Sequence, residues 1–192
     1  MSARRIVVSA LAVCLMAGCS TVIVRDEPRS VSVESDAEIE TAPLVEALIE
    51  NVRFTRVQAL DATWKDKNFT AEVVLKGDGE SMTIVILAPQ MRLATITLTR
   101  PHRIRCERAP RIPDAFAPEF AVVDVAFALL PTAALSDALG SAFTVKDDGR
   151  RRELLCGGRV VRMLERRAGG EVFFVNPLAG YECVIVTMEE TP

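Results

Sequence analysis

The segment Glu119 to Leu130, Glu-Phe-Ala-Val-Val-Asp-Val-Ala-Phe-Ala-Leu-Leu, limits what this chain can fold into more than any other stretch. Its large apolar residues, Phe120, Val122, Val123, Val125, Phe127, Leu129 and Leu130, leave no polar face on a helix, and Asp124 is the one interior charge. A helix lying on a protein surface keeps a polar side, so this one must be enclosed. A carboxylate inside it has to be hydrogen-bonded or reach water, because burying it bare is costly. Asp124 therefore reads in three ways: a tie to the proline-rich crossing before it, a polar handle at the mouth of an apolar cavity, or a general acid. No partner carboxylate stands at helical spacing for the last.

The enclosing material is sheet. Phe69, Ala71, Val73 and Leu75 alternate with Thr70, Glu72 and Lys76, the pattern of a strand with one wet face. Gly77-Asp-Gly79 supplies turn positions with positive φ, and Ser81 to Ala88 runs back as the partner. Met91 to Thr99 and His102 to Glu107 follow, divided by Pro101. Pro110, Pro113 and Pro118 mark a crossing without a regular ladder. After Pro131, Thr132 caps a second helix that Gly140 closes. Strands then resume at Phe143 to Lys146, Arg152 to Cys156, Arg159 to Arg166, Glu171 to Val175 and Tyr181 to Met188, separated by glycine turns. A short amphipathic helix capped by Thr41 opens the domain, with Leu44 and Leu48, then Val45 and Ile49, at four-residue spacing. The expectation is a mainly β, α+β domain over residues 44–190.

The amino terminus reads as an address. Arg4 and Arg5 precede an uncharged run from Ile6 to Met16, too short for a spanning helix of about 20 residues. Leu-Met-Ala-Gly-Cys at 15–19 resembles a lipobox, with Met16 where a branched aliphatic is usual. Residues 1–18 are then a signal peptide cut between Gly18 and Cys19, and Cys19 carries covalent acyl chains. Each buried methylene contributes about 0.8 kcal/mol, so two or three chains make a lasting anchor. Ser20, by resemblance to the sorting pattern, favours the periplasmic face of the outer membrane. From residue 19 to 43 the chain is acidic and is expected to be a flexible tether with a reach of about 27 Å.

Chemistry is sparse. The net charge of −3 gives no electrostatic footprint for nucleic acid. Cys106, Cys156 and Cys183 have no metal or paired-thiol spacing, and read as buried small hydrophobes or as one bridge and one free thiol. His102 is the sole histidine, and no nucleophile elbow accompanies it. It reads as an edge-strand residue beside Arg103 and Arg105, or as a catalytic base. Arg150, Arg151 and Arg152 read as a solvated loop or as a phosphate contact. No metal, cofactor or enzymatic activity is expected.

Val123-Asp-Val-Ala-Phe-Ala-Leu-Leu-Pro131, then Ala133-Ala-Leu135, an arginine-led strand at Arg152 and Gly180-Tyr-Glu-Cys-Val-Ile-Val-Thr187 resemble the DUF3261 family of small bacterial lipoproteins over about residues 55–188. In that family Asp-x-x-Leu-x-x-Trp-Pro precedes a short helix, and Gly-Tyr-x-Leu-x-Ile-x-Thr closes the chain. Here Leu130 replaces the tryptophan and Cys183 the leucine. The resemblance implies a LolA/LolB-like fold, an incomplete antiparallel β-barrel whose short helices plug an apolar cavity, and an association with aryl polyene synthesis. It implies a groove for an acyl or polyene chain, with Phe120, Val123, Asp124 and Phe127 as contacts, and partners in envelope export. The other class is a scaffold or assembly accessory of the envelope with a filled core.

Overall fold

Two short antiparallel pairings precede the first helix in the computed structural model, which describes residues 21–26, 29–34, 37–64, 67–89, 91–110 and 117–192. Strand β1 (Thr21–Arg25) lies on the main sheet, while β2 (Val31–Glu34) and β3 (Ala37–Ile39) pair with each other. Over the described residues of that segment, this corrects the expectation of a flexible tether at 19–43. Val31 and Ile39 are buried in the core and Ile23 packs on it, so apolar residues spaced among the acids fasten the segment down.

Helix α1 (Thr41–Asn51) buries Leu44, Val45, Leu48 and Ile49 completely. Thr41 does not cap it; it lies inside the first turn and its hydroxyl donates to the Arg29 carbonyl at 2.8 Å. Next come β4 (Thr55–Trp64), β5 (Lys67–Gly77), β6 (Ser81–Ala88), β7 (Met91–Thr99) and β8 (Arg103–Arg108). Helices α2 (Pro118–Leu129) and α3 (Thr132–Leu139) follow, then β9 (Phe143–Asp147), β10 (Arg151–Cys156), β11 (Arg159–Arg166), β12 (Glu171–Asn176) and β13 (Tyr181–Thr191).

Eleven strands make one antiparallel sheet in the order β1-β8-β7-β6-β5-β4-β13-β12-β11-β10-β9. Its edge strands, β1 and β9, are not paired with each other, so the barrel is incomplete, as expected. Besides β1, the strand of this sheet not expected from sequence is β4. It joins the earlier half-sheet to the later one by pairing with β5 on one side and with β13, the last strand, on the other.

The inward face carries the core, and register sets its rows. Leu164, Phe174, Cys183, Ala62 and Phe69 follow one another across β11, β12, β13, β4 and β5. Asn176, Tyr181 and Trp64 form the adjacent row. The three helices pack together over the concavity, and α1 also rests on β6 and β7. Burying each large side chain contributes about 1.5–3 kcal/mol, so this helix-on-sheet layer holds most of the stability.

Antiparallel strands give the sheet two ends. At one, here the entry end, the chain comes into β1 at Thr21, and the β4–β5, β6–β7, β10–β11 and β12–β13 turns lie there. At the far end lie the β5–β6, β7–β8, β9–β10 and β11–β12 turns.

Candidate functional site

Helix α2 is the enclosed helix the sequence demands, and polar groups hold it at three points. Val122, Val123, Ala126, Phe127 and Leu130 are at most 1% exposed. At its first turn, Glu119 forms an ion pair at 3.6 Å with Arg25 of β1. A carboxylate there also complements the helix dipole.

The middle point is Asp124. Arg162 of β11 donates through Nε to its Oδ1 at 2.6 Å, and Asn176 of β12 donates to the same oxygen at 3.4 Å. The Tyr181 hydroxyl of β13 donates to Oδ2. Asp124 thus ties the helix to three adjacent strands, β11, β12 and β13. The Arg162 side chain is 2% exposed, and its Nη1 is buried without a hydrogen-bond partner. Burial, and then the Asp124 charge, push the Tyr181 phenol well above its ordinary range, so it remains a donor. Phe174 stacks on Tyr181 with ring centres 5.9 Å apart, and Phe127 meets Phe174 edge-on at 6.0 Å.

The third point is Arg152 of β10. Its Nη1 donates to the Phe127 and Leu130 carbonyls, each at 2.8 Å, and its Nε donates to Asp147 at 2.6 Å. Those carbonyls lack partners within the helix, and a cation at a helix C-terminus is favoured. Burial raises the Asp147 carboxyl, but the Gly149 N–H and the Arg152 and Arg166 guanidiniums together outweigh it and hold it low. The solvated-loop reading of Arg150 to Arg152 is therefore corrected for Arg152, which is 5% exposed. Thr132 does not cap α3; it lies within the first turn, and its hydroxyl donates to Asp147 at 3.3 Å.

The groove residues named from sequence divide. Val123 and Phe127 lie in the packed core, Asp124 is engaged as above, and Phe120 is 42% exposed. None of the four lines the open depression of about 690 Å³ found at the entry end. Its walls are Asp61, Ala62, Thr63, Asn68, Phe69, Thr70, Pro89 and Val184. Sequence reasoning placed Phe69 on an inward face; it had no strand to set beside it, because β4 brings Ala62 across from Phe69.

The remaining candidates are structural in place. Cys106, Cys156 and Cys183 are free thiols, all buried. Burial pushes Cys106 up to about 11 and Cys183 up to about 12. His102 sits in the β7–β8 turn, half-exposed, with Nδ1 3.1 Å from Glu46. No group of metal-ligating side chains occurs among the described residues. Among them no helix is long and apolar enough to cross a membrane. Gly18 and Cys19 lie outside the described residues.

The fold and its bracketed helix define an α+β protein in which an open antiparallel sheet closes over an apolar helix. The chain belongs to the family described as protein of unknown function DUF3261, whose model matches residues 55–189. Comparison with curated proteins gives no match. Two solved structures are similar in the course of the chain. A LolA superfamily protein, NE2245 from Nitrosomonas europaea, is 11% identical, with 80% of this chain and 90% of that chain covered and a TM-score of 0.39. A DUF1329 family protein from Desulfovibrio piger is 9% identical, with 78% and 90% covered and a TM-score of 0.36.

Proposed function

We propose that this chain is an outer-membrane lipoprotein, acylated at Cys19, that takes up an acyl or polyene chain and helps place it in the outer membrane. The work is binding and release, without a catalytic step. One observation supports it above the others: the entry-end depression sets Ala62, Phe69, Pro89 and Val184 among four polar residues, Asp61, Thr63, Asn68 and Thr70. Its size falls within the range of about 300–1,000 Å³ typical of small-ligand sites.

The second reading, an envelope scaffold, draws on a different observation: the interior beneath α2 is filled by Val123, Phe127 and their neighbours. Mass spectrometry of the full chain, purified with minimal detergent, separates the two. The carrier reading expects a stoichiometric bound lipid that Phe69→Asp removes while the circular dichroism spectrum stays unchanged. A ligand-free wild type would sink it in favour of the scaffold. Metabolic labelling with a fatty acid, with Cys19→Ala as control, tests the anchor separately: an unlabelled wild type removes it.

A further inference from the structure

Large apolar side chains left in water are unevenly placed on this sheet. Among the described residues ten are 36–53% exposed: Trp64, Phe69, Met91, Val160 and Leu178 lie at the entry end, while Val22 and Val24 stand along β1, Phe120 on α2, and Val186 and Met188 on β13 toward the far end. Trp64 closes β4, Phe69 stands near the start of β5, Met91 opens β7, Val160 follows the Gly157-Gly158 turn, and Leu178 is in the β12–β13 turn. The described turn residues there, Pro89, Gly157, Gly158 and Pro177 to Gly180, carry no charge. Exposed Lys67, Arg92 and Arg159 stand beside them, with exposed Asp61 and Glu182 on the outer face of β4 and β13. At a membrane surface tryptophan sits at headgroup level, while lysine and arginine lay their stems on apolar surface and keep their charges with lipid phosphates.

The path of the chain says what covers this end. Thr21 begins β1 there, paired with Arg108. Cys19 stands two residues earlier, and two residues span at most about 7 Å. We infer that the entry end is a membrane-contact face whose partner is an anionic bilayer, with Trp64, Phe69, Met91 and Leu178 seated at headgroup level. The inference rests on the Cys19 anchor proposed above for the force that holds the face down. It deepens that reading: the depression beside Phe69 lies at this same end, with Asp61, Thr70 and Val184 on the outer face of the sheet, so an acyl chain leaving the bilayer has only a short path to it. The described residues of the expected tether lie largely in β1 to β3 rather than as free spacer.

The chain carries its own reporter, because Trp64 is its only tryptophan. The full chain is reconstituted in vesicles of phosphatidylethanolamine and phosphatidylglycerol in which the acyl chains are brominated near the headgroup. The expected result is roughly twofold quenching of Trp64 emission with a blue shift, as for an indole at the interface. The double variant W64F/E80W moves the reporter to the β5–β6 turn at the far end, where the Glu80 side chain is 87% exposed. Its emission is expected to be unquenched. Vesicle-bound protein with Trp64 unquenched, or with both reporters quenched alike, overturns the inference. Mass analysis of the Cys19 peptide distinguishes the two proposals. If no acyl group is found, the anchor fails, and the contact face stands only if the unacylated chain still partitions onto these vesicles with Trp64 quenched. Failure to partition overturns the face as well.

Discussion

At the far end of the sheet, Asp78 accepts from the Glu80 and Ser81 N–H groups, and Asp148 accepts from those of Arg150 and Arg151. At the entry end one described turn has a similar cap, Asn176 accepting from the Ala179 N–H at 3.0 Å, but the turn residues themselves are glycine, proline, alanine and leucine. The same antiparallel strands run to both ends, so the ladder does not account for the difference. Aspartate turns of the first kind fix register and face water readily. Apolar side chains in turns do neither, and an exposed cluster of them marks a surface with something to meet. The far end therefore carries more of the turns that fix register, and the entry end more of the apolar turn residues suited to contact.

The largest effect is expected where the two ends are held together, at the bracket under α2. Asp124→Leu leaves Arg162 buried without its carboxylate and should cost about 3–5 kcal/mol in urea unfolding. Adding Arg162→Met should recover much of that loss, since apolar residues of similar volume replace buried ion pairs well. A single-variant loss under about 1 kcal/mol would show that the bracket does not join the ends.

A far-end change comes next. A Cβ on Gly77 would lie 2.3 Å from the Val52 carbonyl oxygen, which is backbone and cannot swing aside. Gly77→Ala is expected to cost about 1–3 kcal/mol by overpacking, measured by the same unfolding curve.

Acid should then loosen the far end first. Backbone N–H groups hold Asp78 and Asp148 below the ordinary carboxylate range, and Asp147 is held low as described. A depressed folded pKa means that the unfolded chain binds more protons. The stabilisation is therefore complete above about pH 4 and lost as pH falls toward the folded values. Hydrogen exchange on lowering the pH from 5 to 3 should show Ser81 and Arg151 losing protection before Cys183 and Val184. Loss in the opposite order would contradict the comparison.

The smallest effect on stability is expected at the entry end. Leu178, in its turn and 45% exposed, can become serine within about 0.5 kcal/mol. The same Leu178→Ser change should weaken vesicle binding in a sedimentation assay. Lost stability with binding unchanged would assign this residue to the fold instead.

Much of the fold was legible in the sequence because it follows periodicity. The β5–β6 hairpin is written in Phe69 to Lys76 and the Gly-Asp-Gly turn, and the enclosed α2 in its apolar circumference. β4 was not legible, because its two faces do not separate by polarity: Gln58, Leu60, Ala62 and Trp64 point inward, while Val57 and Ala59 share the outer face with Thr55 and Asp61. The strands before α1 were hidden by the acids around Val31 and Ile39.

The site was less legible for a related reason. Asp124 announced that it needed a partner, but Arg162 lies on another element and its contact spans 38 residues. The alternation of β11 cannot be carried across the β10–β11 pair unbroken, since register shifts between Leu154 and Leu155. Arg152 was disguised by its two exposed arginine neighbours. The depression needed β4 before it could be assembled at all.

The place of β4 also governs the order in which this molecule can be made. Its partner on one side is the last strand of the chain: Thr55 pairs with Thr191, and Arg56 meets Glu190 across 134 positions of sequence. Each half-sheet can zip up from neighbouring hairpins, but the seam between them must wait for the C-terminus. Contacts this remote close slowly, because a long loop is ordered before anything rewards it. A chain emerging N-terminus first therefore cannot close the seam until β13 has appeared, long after β4.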